Sequence, residues 1–269
     1  MRLLTVQARQ GAVWVRQGFR MLGQKPLAYA VLFIVFYAAF ALFSVLPFIG
    51  LFIALASLPL RSLGFMIATR QNLAQQTPTP RVFIEPLRGP RGTVVAMIQL
   101  SALYALGVFV IFWLGNRFDG GALEAFWKTA WTAGTTPESL ESKWTDPDLQ
   151  GGLLFRLTLL GLLALPFWHS PALAHWGGHG AVKALFFSWV ACWRNKAAFA
   201  VYGLTWFALS VLLGLIASIL SVMLDQSMVV NVAFMGASFI MVTAFFASLY
   251  FSYADCFTED TDPTPTVDA

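Results

Sequence analysis

Long runs of apolar residues, separated by short polar stretches, dominate this chain. The hydrocarbon core of a bilayer is about 30 Å thick, so a helix that spans it needs roughly 20 apolar residues. The first run reads LAYAVLFIVFYAAFALFSVL and contains no charged residue. The whole pattern predicts six spanning segments, at about residues 27–46, 48–69, 93–115, 152–174, 197–224 and 228–253.

The apolar runs predict helices rather than barrel strands. Inside a bilayer, backbone N–H and C=O groups must bond within the protein, and a helix satisfies them within one segment. Barrel strands give segments of about ten residues with alternating polarity, and the sequence contains no such series. We therefore expect an all-α, polytopic helical membrane protein, with residues 1–254 as a single integral membrane domain.

Two amphipathic segments precede spans one and five. In residues 8–24, polar and apolar side chains separate onto opposite helical faces. The polar face carries Arg9, Arg16 and Arg20, and the apolar face carries Trp14, Val15, Phe19, Met21 and Leu22. The placement of Trp and Arg favours an interfacial helix that lies on an anionic leaflet; the alternative is a helix that packs on the spans with the same face. The second interfacial segment covers residues 181–193.

Composition supports the same class of protein. Hydrophobic residues make up 58% of the 269 residues and charged residues only 11%, against about 25% charged residues in soluble domains. So few charges cannot cover a water-exposed surface. The basic residues lie in loops between apolar runs and form no continuous basic face, so we expect no nucleic acid partner.

The positions of the basic residues predict the orientation. Lys and Arg concentrate before span one, between spans two and three, and between spans four and five. By the positive-inside rule, we expect a multi-pass protein of the bacterial inner membrane with both termini in the cytoplasm. Residues 116–151 are then the outer loop, and residues 255–269 a disordered, acidic cytoplasmic tail. No cleavable signal peptide is expected.

Several stretches carry a resemblance to known proteins. They are VRQGFRMLGQKPLA, LPLRSLGFMIATR, PLRGPRG, ALFFSWVACWRNKAAFAVYGL and SYADCF. Together they resemble an uncharacterised family of six-span inner-membrane proteins of proteobacteria, over nearly the whole chain. The order of helix, Lys-Pro and span is more distantly similar to the membrane domain of bacterial glycerophosphodiester phosphodiesterases. Those enzymes keep their chemistry in a separate soluble domain, so the resemblance implies location and fold rather than catalysis.

Arg61 is the first candidate for a polar site. It lies about eight residues inside the cytoplasmic end of span two, just after Pro59, and an arginine at the centre of a span costs roughly 2.5–3.5 kcal/mol. One interpretation is a polar spot inside the bundle that binds an anionic lipid head group or pairs with Asp255. The favoured alternative is an arginine whose side chain snorkels to the head groups.

All three histidines lie in the stretch PFWHSPALAHWGGHG. His169, His175 and His179 are weak candidates for a metal site, because Gly177 and Gly178 interrupt the helical spacing of the last two. We therefore expect no metal and no cofactor, and a membrane boundary at this stretch. The expected interfacial anchors are the basic residues that flank spans one and five, namely Arg16, Arg20, Lys25, Arg194 and Lys196.

Two further features concern the outer halves of the spans. Arg156 and Asp225 lie near the outer ends of their spans, where we expect them to snorkel to the interface or to pair with each other. Span five carries Ser210, Gly214 and Ser218 at four-residue spacing. Small residues allow close helix approach, so this face predicts helix–helix packing.

The sequence contains no pattern that predicts catalysis. It has neither a phosphate-binding glycine loop with its lysine, nor a serine nucleophile elbow, nor a His-Glu zinc motif. We therefore predict no enzyme. The favoured function is a non-enzymatic membrane scaffold, envelope-maintenance or regulatory component; the alternative is a transporter or binder of a lipid or small anionic molecule. The expected partners are membrane lipids, anionic ones in particular, and other membrane proteins or further copies of the chain.

Overall fold

The computed structural model describes residues 2–44, 46, 49–130, 132, 142–224 and 228–258. Its helices are α1 (Gln10–Gln24), α2 (Pro26–Ser44), α3 (Ile49–Ala56), α4 (Leu58–Leu73), α5 (Arg91–Phe118), α6 (Ala122–Ala130), α7 (Pro147–Phe167), α8 (Ser170–His175), α9 (Ala181–Arg194), α10 (Lys196–Met223) and α11 (Met228–Cys256). Two short 3-10 turns, Pro80–Phe83 and Glu85–Leu87, lead into α5. The strands are β1 (Arg2–Leu3) and β2 (Phe257–Thr258).

Six segments of the described chain are long and apolar enough to cross a membrane, which confirms the predicted all-α polytopic fold. They are Pro26–Phe43, Phe52–Leu73, Arg91–Phe118, Pro147–His175, Lys196–Met223 and Met228–Cys256. The second span combines α3 with α4, and the fourth combines α7 with the short helix α8. Spans three, four and six extend past the predicted runs, because polar residues at their ends continue the helix. Span five agrees with its prediction to within one residue at each end.

Helix α1 packs into the bundle between α10 and α11, so the favoured interpretation, a helix whose apolar face meets lipid, is wrong for most of that face. Trp14 is completely buried. Gly11 and Gly18 allow the close approach: a Cβ at Gly11 would overlap the carbonyl oxygen of Ala198, and one at Gly18 would overlap that of Ala244. An amphipathic pattern shows that one face of a helix is buried in an apolar environment, but it does not distinguish lipid from the apolar surface of neighbouring helices.

Helix α9, the second predicted interfacial helix, packs against α7 and α8 with small residues. The buried side chains are Ala181, Ala184, Ser188, Ala191 and Cys192. The opposite face presents Val182, Phe186, Trp189 and Trp193 at helical spacing, with Trp193 62% exposed. Helix α9 therefore keeps an outward aromatic face of the kind that lies at the boundary between lipid and water.

The two ends of the chain meet in a short antiparallel pair that the sequence pattern did not predict. Arg2 pairs with Thr258 and Leu3 with Phe257. Asn195, at the junction of α9 and α10, accepts from the Val6 amide at 2.8 Å and donates to the Leu4 carbonyl at 3.1 Å. We call these residues the terminal clasp. It places residues 2–6 and 257–258 on the same side of the bundle.

The buried core lies in the half of the bundle that contains the clasp. Its largest side chains include Trp14, Tyr29, Phe65, Met66, Met97, Leu100 and Tyr202. The far half is open: the buried residues of α10 are Ala198, Tyr202 and Trp206, all in the half nearer the clasp. The predicted packing face of span five is not covered, since Ser210 and Ser218 are exposed and a Cβ at Gly214 would meet no atom within 4 Å.

Two predicted segments fall partly outside the described residues. In the predicted outer loop, the structure describes α6 and the start of α7. In the predicted tail, Asp255 and Cys256 end α11, and Phe257 and Thr258 form β2, so the ordered chain continues past the predicted boundary at residue 254. Residues 259–269 and Asp225 lie outside the described part of the chain.

Candidate functional site

The second span is broken where the sequence reads ASLPLRS. Helix α3 ends at Ala56 and α4 begins at Leu58. Pro59 has no backbone N–H and removes one helical hydrogen bond, and the Ser57 hydroxyl donates to the Ala54 carbonyl at 2.6 Å. Helical bonding resumes with the Arg61 amide, which donates to the Ser57 carbonyl at 2.9 Å. This break places Arg61 on the first turn of α4, within the span.

The Arg61 guanidinium lies inside the bundle against two phenyl rings. Its Cζ is 4.3 Å from the ring centre of Phe246 and 4.8 Å from that of Phe36. Among the described residues, its Nε is buried without a hydrogen-bond partner, and no carboxylate there forms an ion pair with it. The side chain thus follows the inward-facing alternative rather than the snorkelling one.

A cavity of about 250 Å³ adjoins this guanidinium, between α4, α5, α11 and the end of α7. Its wall is mostly apolar, and consists of Leu58, Pro59, Arg61, Ser62, Tyr104, Ala164, Phe167, Trp168, Phe245, Phe246 and Leu249. Ser62 Oγ already donates to the Pro59 carbonyl at 2.9 Å, and Trp168 Nε1 to Ser252 Oγ at 3.3 Å. The arrangement offers one cation in an apolar pocket, which suits a single anionic group.

Asp255 does not pair with Arg61, which corrects one half of the predicted polar site. Its Oδ2 accepts hydrogen bonds from Gln10 Nε2 and Trp14 Nε1, both at 2.7 Å. Asp255 follows Phe246 by nine residues on α11, which is about 13 Å of helix at 1.5 Å per residue. The carboxylate therefore anchors α1 to the end of α11, and Arg61 remains without a counter-charge from it.

The three histidines lie in separate environments. His169 is completely buried, its ring lies 5.6 Å from that of Phe257, and neither ring nitrogen has a hydrogen-bond partner in the described structure. His175 Nε2 lies 4.0 Å from Glu85 Oε1, and His179 contacts the Phe187 ring at 5.4 Å. Within the described residues, no three His, Cys, Asp or Glu side chains are grouped as metal ligands.

Comparison with known proteins identifies a relative over nearly the whole length. The chain is 34% identical over 259 residues to a protein of Burkholderia thailandensis (strain E264) named "Probable inner membrane protein"; the match covers 96% of this chain and 94% of the relative. The chain belongs to this inner-membrane protein family. No family model matches it. No solved structure matches it either.

The similarity to this relative and the six apolar spans together show that the chain is an integral, multi-pass inner-membrane protein.

The predicted interfacial anchors of the inner-membrane protein differ in their surroundings. Arg16, Arg20 and Arg194 are exposed, and the exposed Lys196 places its ammonium 5.5 Å from the Trp193 ring centre. Lys25 instead donates to the Gln75 carbonyl at 3.1 Å and to Thr77 Oγ1 at 3.4 Å. Lys25 thus ties the turn between α1 and α2 to the end of α4.

A buried ion pair lies at the end of the bundle away from the terminal clasp, and it was not predicted from the sequence of this inner-membrane protein. Arg156 Nη1 lies 2.6 Å from Asp119 Oδ2, and both side chains are almost fully buried. Arg156 therefore neither snorkels to the interface nor needs Asp225. Gly115 and Gly152 leave the space for the pair, since a Cβ at either position would overlap the Arg156 or Asp119 side chain. These glycines were the only sequence signal of it.

Three titratable groups of the inner-membrane protein lie outside its spans and have shifted pKa values. Burial alone would raise the pKa of Asp119, but the Arg156 guanidinium and the amides of Gly121 and Leu123 together lower it. Burial lowers the pKa of His179, and the nearby Lys183 ammonium lowers it further. Burial raises the pKa of the Cys192 thiol, so the reactive thiolate is disfavoured there.

Proposed function

We propose that the protein binds the anionic group of a membrane lipid or of a small organic anion at Arg61, and performs no chemistry on it. The observation that carries the proposal is the charge balance of the cavity. Arg61 has two aromatic faces beside it but no carboxylate within ion-pair distance among the described residues. A buried cation without a counter-charge is costly, so an external anion lowers the free energy of the site.

The broken span adds to the positive potential of the cavity. The first turn of α4, with Leu58, Pro59 and Arg61, forms part of the cavity wall, and the N-terminus of a helix carries a partial positive charge. Discontinuous membrane helices hold anionic groups in this way in transporters. The cavity volume of about 250 Å³ supports a head-group fragment or a carboxylate rather than a whole lipid.

Native mass spectrometry of the protein extracted from its own membrane tests the proposal. We expect wild-type protein to retain one anionic species, and Arg61→Gln to retain about tenfold less of it, because the charge is gone while a shorter polar side chain remains. Arg61→Lys should retain an intermediate amount. Arg81→Gln removes an exposed arginine from the turn after α4 and serves as the matched control. Equal occupancy in wild type and a folded Arg61→Gln variant would sink the proposal.

A second candidate is the non-enzymatic scaffold or regulatory component. It is supported by the open outer half of α10, where Ser210, Gly214 and Ser218 have no helix against them in the described structure. A partner helix in the membrane, or a second copy, would cover this face. Gly214→Leu should release co-purified partner subunits. Gly161→Leu on α7 is the control and should retain them, since a Cβ at Gly161 also meets no atom within 4 Å. Unchanged subunit composition would count against this candidate.

Two finer features belong to the same proposal. The concentration of Lys and Arg in the segments beside the terminal clasp supports a cytoplasmic location for both termini. The distant likeness to the membrane domain of bacterial glycerophosphodiester phosphodiesterases remains a prediction from sequence. It is compatible with a lipid-related role for the membrane domain.

A further inference from the structure

We propose that a groove between α1, α2 and α11 binds one acyl chain of an anionic phospholipid, whose phosphate is held by Arg16 and Arg20. We call it the α1 groove; its volume is about 540 Å³, and its wall includes Phe19, Gly23, Ala30, Ile34, Phe239 and Ile240. It lies apart from the Arg61 cavity, with which it shares no lining residue. The proposal therefore stands independently of the proposed function.

The shape of the α1 groove fits a chain that enters the bilayer from its surface. The groove begins at Pro26, where amphipathic α1 meets the first spanning helix, and continues to Ile34. Eight residues of helix correspond to about 12 Å of depth. Leu27 is 81% exposed and Ile34 63% exposed, so the groove opens sideways to lipid along its length.

The positive charges of Arg16 and Arg20 favour a lipid with an anionic head group. At 100° per residue, Arg16 lies about 20° and Arg20 about 60° around α1 from Gly23, on the side away from the buried Trp14 and Gly18. Neither arginine is part of the groove wall. From the wall residue Phe19, Arg16 lies about 60° and Arg20 about 100° around α1, so both lie beside the groove on the exposed face of the helix. The first 84 residues contain no Asp or Glu, and among the described residues neither arginine has a carboxylate within ion-pair distance.

An anionic phospholipid matches this combination of surfaces. It brings an apolar chain for the groove and a phosphate for the two cations, on one molecule and in the same order along the membrane normal. Each Lys or Arg close to an anionic membrane surface strengthens binding by about fivefold. The adjacent Lys25 ammonium is already held by Gln75 and Thr77, so it fixes the wall of the groove rather than the head group.

The test uses full-length protein in nanodiscs of phosphatidylcholine that contain phosphatidylglycerol with a photoactivatable acyl chain. After irradiation, the cross-linked peptides are identified by mass spectrometry. We expect cross-links concentrated at residues 27–34 and 239–243, and few of them when photoactivatable phosphatidylcholine replaces the phosphatidylglycerol. Ala30→Phe, at an exposed position, should fill the groove and abolish these cross-links while the protein remains folded.

The charge variants separate a site from general attraction to the membrane. Arg16→Gln and Arg20→Gln should each reduce the cross-links about fivefold. Arg9→Gln removes an exposed cation at the N-cap of the same helix, about 21 Å from Gly23 along the axis, and should leave the cross-links unchanged. Three outcomes would each overturn the proposal: an equal loss of cross-links with Arg9→Gln, cross-links spread evenly over all lipid-facing spans, or cross-links unchanged by Ala30→Phe. Arg61→Gln should not affect these cross-links, whatever its effect on the Arg61 cavity.

Discussion

At the residue scale, the Arg156–Asp119 pair differs from most surface ion pairs because neither side chain reaches solvent. Removing one partner from a buried pair leaves an uncompensated charge, whereas removing both leaves none. Asp119 also accepts from the backbone amides of Gly121 and Leu123, at 3.0 and 3.4 Å. One carboxylate therefore joins the end of α5 to α6 and α7.

We predict that Arg156→Met and Asp119→Asn each destabilise the protein by about 3–5 kcal/mol. The double variant should lose clearly less than the sum of the two, because it contains neither charge. The measurement is the free energy of unfolding in detergent micelles at neutral pH, analysed as a double-mutant cycle.

Glu124→Gln provides the control for this cycle. It breaks the exposed i,i+4 pair of Glu124 with Lys128, which contributes about 0–1 kcal/mol at most. Strictly additive losses in the Arg156 and Asp119 variants would contradict the coupling.

The same pair predicts a pH dependence. The folded-state pKa of Asp119 is lowered, so the carboxylate contributes stability above its unfolded-state pKa of about 3.9. That contribution is lost as the pH falls below this value and through the lower folded-state pKa. The unfolding midpoint of wild type should exceed that of Asp119→Asn by a constant margin near neutral pH, and the margin should shrink in acid. A margin that persists unchanged below the folded-state pKa would contradict the prediction.

How much of the site was predictable also differs by residue. Arg61 is visible in the sequence because a charge inside an apolar run is costly. Its inward orientation was not, since Phe36 and Phe246 are distant in sequence and come together only when the helices pack. Asp119 lies just beyond its span, where a carboxylate is ordinary, and only the neighbouring Gly115 and the distant Gly152 indicate its burial.

At the element scale, α1 illustrates what an amphipathic pattern leaves open. The pattern fixes which face is apolar, and the structure covers that face with α10 and α11. Both lead-in helices pack through small residues, and in α1 these are Gly11 and Gly18, which face neighbouring backbone. The helices differ in their tryptophans, since Trp14 of α1 is buried whereas Trp193 of α9 is exposed. Close packing of helices at such positions depends on the missing side chain.

We predict that Gly18→Leu detaches α1 from the bundle, because the new side chain would overlap the Ala244 carbonyl and Ser248. Overpacking of this kind costs about 1–3 kcal/mol. Limited trypsin digestion should then cleave faster after Arg16 and Arg20, and the unfolding midpoint should fall. Gly23→Leu is the matched control on the same helix, since a Cβ there meets no atom within 4 Å. If trypsin cleaved both variants equally fast, close packing at Gly18 would not be what holds α1 in the bundle.

At the scale of the whole molecule, the sequence predicts the number of spans well because lipid imposes one requirement on each span separately. It does not predict how the spans assemble. The buried core lies beside the terminal clasp and includes Trp14, Phe65 and Tyr202, while the half of α10 away from the clasp remains uncovered. That asymmetry arises because α1 fills the space between α10 and α11 at one end only.

The terminal clasp, combined with an even number of spans, predicts a topology that labelling can test. In a variant without Cys192 and Cys256, single cysteines at Ala8 and Gln76 should be protected from a membrane-impermeant maleimide in intact cells and labelled after permeabilisation. A single cysteine at Lys128, on exposed α6, should be labelled in both. The reason is that residues 8 and 76 lie on the basic side of the membrane and α6 on the other. Opposite results at residues 8 and 76 would contradict the two spans predicted between them, and a fully inverted pattern would contradict the orientation alone.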